Sequence, residues 1–354
     1  MQPIVDVVIA VHSKTRPIAR AVSSVLSHNT IAVRVLVVAH NIDRAVIAEN
    51  LGEWANDPRV ELLHLADGIH SPAGPMNHGL QASTGQFFSV MGSDDELEPG
   101  ALDHWYSLHE STGAEIVIPQ IRNDRGGREL SPPLRPLRSR NLDPVKDRLS
   151  YRSAPLGLVS RSRFGHLRFA EGLRSGEDLP FVTRLWFSGV GIAFARRGPG
   201  YYVRSDADDR VTSAPKWIAE DFAFLDRIFG EPDIERLGTR ERRALVVKLV
   251  RVHLFDAIIN RPDLESWPTS EREELAVVAQ RMLAWAPGAE QLLSRLDRSI
   301  LTGILDAETA TEELLARVKK RGNYLSLGVI LPRNTVYTLH RQAPLRTYAG
   351  GYLL

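Results

Sequence analysis

Short apolar runs alternate with stretches of three- to four-residue apolar spacing through the N-terminal part of the chain, the pattern of strands alternating with helices. Val5 to Val11 reads as a strand, and Ile18, Val22, Val25 and Leu26 share one face of a helix that starts near Pro17. A second strand at Val33 to Ala39, a polar helix over Arg44 to Trp54, a third strand around Val60 to Leu65 and a helix over Asn77 to Ala82 lead to the apolar strand that begins at Phe87. Pro99 is expected to open another helix, with Leu102, Trp105, Tyr106 and Leu108 as its apolar face, followed by a strand at Ile116 to Ile118. Such βαβ alternation predicts an α/β fold whose mainly parallel, doubly wound sheet carries helices on both faces.

Periodicity then weakens. Residues 120–152 carry four prolines and Arg135, Arg138, Arg140, Arg148 and Arg152, and read as a long loop or a solvated insertion. Order resumes at Glu177-Asp178, which open a helix bearing Phe181, Leu185 and Trp186, and two short strands follow at Ile192 to Ala195 and Tyr201 to Arg204. From Trp217 the pattern is helical: Trp217 to Phe229, Thr239 to Asn260, Ser270 to Trp285, Ala289 to Leu305 and Glu308 to Arg321. In Thr269-Ser270-Glu271-Arg272-Glu273, an N-cap hydroxyl followed three residues later by Glu predicts a capping box. The expected division is an α/β domain over 1–215 and a mainly helical domain with a basic, aromatic tail over 216–354.

Composition narrows the class. With 354 residues, 43% of them hydrophobic and 25% charged, the chain has the balance of a globular protein folding in water. A net charge of +1 gives no chain-wide basic field, so nucleic acid is not an expected partner. No cysteine is present, which removes disulfides and thiolate chemistry and predicts a cytoplasmic location. The N-terminal apolar run is interrupted by Asp6 and reads as a strand, not a signal peptide.

Two acidic pairs carry the candidate chemistry. The strand Phe87-Phe88-Ser89-Val90-Met91 runs into Gly92-Ser93-Asp94-Asp95, delivering carboxylates to a sheet edge where a hard cation could meet substrate phosphates. A solvated turn or helix cap explains the same two acids. Glu177-Asp178 fits an ordinary helix start, and equally a carboxylate kept ionised by the helix N-terminus and able to take a proton. His12, His40, His70 and His78 lack the helical spacing of a metal pair.

In order and spacing, the first strand with its loop to Pro17, Asn77-His78-Gly79-Leu80, Gly85-Gln86-Phe87-Phe88 into Gly92-Ser93-Asp94-Asp95, and Gly176-Glu177-Asp178 resemble the large family 2 of inverting glycosyltransferases with the GT-A fold, over roughly residues 4 to 205. That resemblance implies a hexosyltransferase-like enzyme using a nucleotide-sugar donor and Mg²⁺ or Mn²⁺, and acting on a saccharide, a lipid-linked sugar or a surface polymer. It places Asp94 as metal ligand beside the donor diphosphate and Asp95 in support. Ser93, Asn77 and the loop after Val11 then fall in the donor site. Asp178 is similar to the catalytic base, with Glu177 alongside. Two departures stand out: Ala39-His40-Asn41 replaces the acid usual after the second strand, leaving Asp43 as a displaced substitute, and Gly92 replaces the first acid of the DXD-type motif. A non-catalytic nucleotide-sugar-binding or assembly subunit is the alternative those departures suggest.

Two further regions are read with less chemistry attached. Arg204 or Arg210 could reach a diphosphate, or belong to an exposed turn with Asp206, Asp208 and Asp209. The tail, without an acid after Glu313 and mixing Arg and Lys with Tyr324, Tyr337, Tyr348 and Tyr352, suits peripheral contact with the inner face of a membrane, or simple packing. A homo-oligomer is compatible with all of this.

Overall fold

A computed structural model describes residues 3–124, 131–206, 217–323 and 326–352. Its chain contacts define two compact units: residues 1–131, 137–142 and 152–214 form the first, and 132–136, 143–151 and 215–354 the second. Asp208, Asp209, Arg210 and Tyr324 lie outside the described residues.

The first unit begins with β1 (Val5–Val11), α1 (Ile18–Leu26), β2 (Val33–His40), α2 (Arg44–Leu51), β3 (Val60–Leu65), α3 (Ala73–Ala82) and β4 (Phe87–Gly92). It continues through β5 (Glu96–Leu97), α4 (Ala101–Thr112), β6 (Ile116–Pro119), β7 (Ile121–Asn123), β8 (Leu158–Ser160), α5 (Arg161–Phe164), α6 (Asp178–Trp186), β9 (Ile192–Ala195) and β10 (Tyr201–Val203). Seven strands form one sheet in the order β3-β2-β1-β4-β8-β6-β9, and β5-β10-β7 form a small second sheet. β8 runs antiparallel to both β4 and β6, while the other pairs of the large sheet are parallel. Strands buried on both faces explain the mostly apolar runs of β1 and β2.

Asp6, which interrupts that apolar run, is fully buried and serves as a brace. Its carboxylate accepts from Arg34 Nε at 2.8 Å and from the Thr84 and Gly85 amides at 2.6 and 2.7 Å, tying β1 to β2 and to the turn that enters β4. Strand order turns back beside β1: β2 lies on one side and β4 on the other, with Ala10 opposite Gly92. In an open α/β sheet, the crevice at the carboxyl ends of two such strands is where ligands bind.

Some local expectations give way to tertiary demands. The helix expected from Asn77 begins four residues earlier, at Ala73. Among the described residues of 120–152, part is structured and buried: β7 lies there, and Arg148 and Arg152 are buried. Their guanidinium groups donate to the carbonyls of Pro133 and Pro119 respectively, while Arg135 pairs with the fully buried Asp147 at 2.6 Å. Those long side chains find carbonyl and carboxylate partners, which offsets the cost of burying them.

The second unit is helical among its described residues: α7 (Ile218–Asp221), α8 (Phe224–Phe229), α9 (Pro232–Glu235), α10 (Thr239–Lys248), a π-helical turn at Leu249–Leu254, α11 (Phe255–Ile259), α12 (Thr269–Trp285), α13 (Arg295–Leu305), α14 (Thr311–Lys319), α15 (Leu327–Ile330) and α16 (Pro344–Tyr352). Two expected long helices are broken, at 222–223 and at 293–294, where Ser294 caps α13 by accepting from the Asp297 amide at 2.9 Å. The capping box does not form. α12 takes Pro268 as its N-cap, which has no side-chain oxygen to accept, and Glu271 in its first turn accepts from the Ile218 amide at 2.8 Å, giving that buried amide a partner. No helix among the described residues is long and apolar enough to cross a membrane.

His253, in the π-helical turn, sits 2.6 Å from Lys248 Nζ and against the Phe224 ring. Burial, reinforced by the Lys248 charge, holds its imidazole well below the usual 6.5. The unfolded chain therefore takes up a proton near that pH that the native state refuses. Stability is full above pH 6.5 and should fall below it by up to about 1.4 kcal/mol per pH unit. Urea midpoints between pH 7 and 5.5 should show this slope, reduced by one proton in His253→Gln; an unchanged slope in the variant would refute it.

Candidate active site

At the carboxyl ends of β1 and β4 lies a cavity of about 280 Å³ whose wall includes Val11, His12, Arg16, His40, Ser93 and Asp94. Val11 closes β1 and is fully buried; Ser93 and Asp94 follow β4 and are nearly so. The sheet thus brings three of the residues singled out in the sequence to one crevice.

Asp94 does not meet solvent alone. Its Oδ2 pairs with Arg16 Nη1 at 2.7 Å, with the two side chains only 12% and 7% exposed. Its backbone carbonyl accepts from Arg20 Nη2 at 2.6 Å, and Arg20 also pairs with Asp206 at 2.6 Å and Glu96 at 3.2 Å. Hydrogen bonding from Arg20 holds the Asp206 carboxyl below its ordinary range. Two arginines from the β1–α1 loop and the first turns of α1 therefore surround the acid turn.

Asp95 is turned inward. Tyr201 Oη donates to its Oδ2 at 2.6 Å and the Arg204 amide donates to its Oδ1 at 3.1 Å. The same tyrosine oxygen accepts from the Gly92 amide at 3.0 Å. Full burial, and then the Asp95 charge, push the Tyr201 hydroxyl well above its usual range and keep it a donor. Both carboxylate oxygens of Asp95 therefore join β10 to the end of β4. This geometry also accounts for Gly92, since a Cβ there would stand 2.7 Å from Asp95 Oδ2 and 3.1 Å from Asp94 Oδ1. Arg204 pairs with Glu96 at 2.7 Å and stacks on Tyr202.

Asn77 is placed as a clamp. Its Oδ1 accepts from the Phe169 amide at 2.8 Å, and its Nδ2 donates to the Phe169 carbonyl at 3.0 Å and to Glu171 at 2.8 Å. It ties α3 to the segment that leads into α6. There Glu177 is the N-cap and Asp178 the first helical residue, both half-buried. Phe181, one turn on, stacks on Phe169 at 4.6 Å and meets Phe88 of β4 edge-on at 6.4 Å, which fixes the start of α6 against the strand that carries the acid turn. Asn77, Asp95, Glu177 and Asp178 are not in the wall of the cavity.

On the far side, the acid missing after β2 is supplied by another loop. Asp67 Oδ1 lies 2.8 Å from His40 Nε2 and accepts from Asn41 Nδ2 at 3.2 Å. Burial opposes ionisation of Asp67, yet hydrogen bonds from the Ile69 amide, His40 and Asn41 hold its carboxyl below the ordinary range. Asn41 adopts φ +54°, a left-handed conformation, and its side chain bridges to Gly68 and Ile69. Asp43, the displaced substitute, caps α2 by accepting from the Ala45 amide at 2.8 Å. Arg16, Arg20, Asp67 and Tyr201 carry no local signature of a site; their pairing depends on strand order.

A mainly parallel α/β sheet with an acid turn at its switch point is the arrangement of a GT-A-type fold. Residues 6–168 match the model of glycosyl transferase family 2. The chain is 28% identical over 268 residues to the succinoglycan biosynthesis protein ExoO of Rhizobium meliloti (strain 1021), covering 69% of this chain and 76% of ExoO. Its fold is similar to S. aureus TarS 1–349 in complex with UDP-GlcNAc, with a TM-score of 0.73 at 15% identity over 92% of this chain and 93% of that one. The TarS 1–349 complex with UDP has a TM-score of 0.70 at 14% identity over the same shares of the two chains.

Proposed function

We propose that residues 1–215 form an inverting glycosyltransferase that moves a hexosyl group from a nucleotide-diphosphate donor to a hydroxyl of a saccharide, lipid-linked sugar or surface polymer. The observation that carries this is the cavity at the ends of β1 and β4, where Val11, Ser93 and Asp94 meet the Arg16 guanidinium. The UDP-GlcNAc complex of TarS and the succinoglycan role of ExoO support a nucleotide sugar and a polysaccharide product. A cytoplasmic enzyme meeting its acceptor at the inner membrane face fits this reading, and 216–354 is given no chemical step.

In this mechanism Asp178 stays ionised because the amides and dipole of α6 favour negative charge at its N-terminus. It takes the proton of the acceptor hydroxyl as that oxygen bonds to the anomeric carbon and the bond to the diphosphate oxygen breaks on the opposite face. One displacement gives inversion. Glu177 and the clamp at Asn77 hold the start of α6 in place.

A divalent metal fits the acid turn in a limited way. Asp95 is engaged at both oxygens and Gly92 offers none, so Asp94 is the carboxylate available, shared with Arg16. Among the described residues no group of three or more His, Cys, Asp or Glu side chains is arranged around a metal position. Mg²⁺ commonly binds through one or two carboxylates with substrate phosphates and water, so Mg²⁺ or Mn²⁺ would arrive with the donor and stabilise the leaving diphosphate. Arg16 and Arg20 hold the turn's shape and supply positive charge from the protein itself.

The loss of an acid at Gly92 and the inward turn of Asp95 favour one second reading, a subunit that binds nucleotide sugar without turnover. A melting-temperature screen of nucleotide sugars with Mn²⁺ or EDTA, followed by donor turnover, tests both. A true donor at 100 times its Kd should stabilise the protein by about 2.7 kcal/mol. No shift with any nucleotide sugar would refute both readings; a shift without turnover on any acceptor would leave the second.

A further inference from the structure

The second unit contains a cavity of about 490 Å³, a volume typical of small-molecule sites. Three cations line it: Arg251, Lys319 and Arg321. The arginines are preorganised. Arg251 has a side chain only 5% exposed, donates from Nη1 to Tyr151 Oη at 3.2 Å, pairs with Asp297 at 3.4 Å, and lies over the Tyr348 ring at 5.5 Å. Arg321 Nε donates to Asp297 Oδ1 at 2.9 Å, its Nη2 donates to the Arg251 carbonyl at 2.9 Å, and its guanidinium covers the Phe255 ring at 4.6 Å.

Charge is not balanced within this group. Asp297 faces both arginines, and Asp256, the one acid in the wall, has its carboxyl raised above the usual range by the surrounding protein. Lys319 is exposed at the rim. The rest of the wall is mostly apolar, with Val252, Ile259 and Leu315 among its residues, and Ile259 is 50% exposed at the same time. The π-helical turn Leu249–Leu254 carries Arg251 and Val252 into the wall, and such turns break helical register where a site needs particular side chains.

Three cations beside an apolar wall match a ligand that is anionic at one end and apolar at the other. We propose that this cavity binds the phosphate monoester of a long-chain or isoprenoid alcohol. Lys319, Arg251 and Arg321 take the phosphate, and Val252, Ile259 and Leu315 take the first carbons of the chain. Binding in this unit does not depend on the transfer chemistry assigned to the other.

The test is isothermal titration of the full-length protein with dodecyl phosphate below its critical micelle concentration, against inorganic phosphate and dodecyl maltoside. Dodecyl phosphate should bind at least about tenfold more tightly than either, since both ends contribute. Lys319→Gln and Ile259→Ser, both at exposed positions, should each weaken it by roughly tenfold while leaving the melting temperature of the ligand-free protein unchanged. Equal binding of dodecyl maltoside, or dodecyl phosphate affinity indifferent to both substitutions, would overturn the proposal. Inorganic phosphate bound as tightly as the ester would reduce the site to one for a free anion and would overturn the apolar half.

Discussion

Asp178→Asn is expected to lower kcat by about 10²–10⁴-fold while changing donor affinity less than about twofold. The reasoning rests on position. Asp178 opens α6, whose Phe181 is packed against Phe88 of β4, so the residue is held by rigid elements rather than by a loop. Asparagine preserves the size at this first helical position, but it cannot accept the acceptor's proton. Glu177→Gln should cost much less than Asp178→Asn, because the Glu177 side chain makes no cap hydrogen bond to α6 and the proton acceptor is left in place. Single-turnover assays with saturating donor separate the two effects. Near-wild-type turnover in Asp178→Asn would remove it as the base.

Asp94 should show two separable effects. Asp94→Ala breaks the ion pair with an Arg16 guanidinium that is 7% exposed, and breaking a pair this buried costs about 3 kcal/mol or more. A fall in melting temperature is therefore expected before any question of ligand. Asp94→Asn keeps an oxygen for Arg16 and should fold nearly normally, yet it removes the carboxylate that a divalent ion requires. In wild type, Mn²⁺ should tighten donor binding relative to EDTA; in Asp94→Asn that gain should disappear. A gain of equal size in both proteins would place the metal on other groups.

The acid turn also explains what the chain itself could and could not announce. The approach of β4 to Asp94 was legible, because a buried strand ending in small and acidic residues is a local pattern. The opposite fates of Asp94 and Asp95 were not. Asp95 is committed to Tyr201, 106 residues away in sequence, and no spacing rule links the two. His40 replaces the expected acid after β2, and Asp67 stands in for it from the loop after β3, a pairing created by strand adjacency. Asn77 fell in the right segment, but its amide is directed at Phe169 and Glu171.

Residues 120–152 make the same point for burial. Proline and arginine content describes the backbone's lack of periodicity, yet Arg148 and Arg152 are buried against carbonyls, and hydrogen bonding offsets part of the cost of burying them. In the helical unit, the capping box did not form because α12 starts at Thr269 with Pro268 as its N-cap, so no hydroxyl stands at the capping position.

By itself the sequence determined the alternation of strands and helices, the switch to an all-helical second part, and the two acidic pairs, since periodic burial and capping act over a few residues. Tertiary structure decided which side β4 takes beside β1, which acid faces the cavity, and which arginines meet it. Those outcomes depend on strand order and on pairs distant in sequence, where partners are chosen by the packing of the whole sheet.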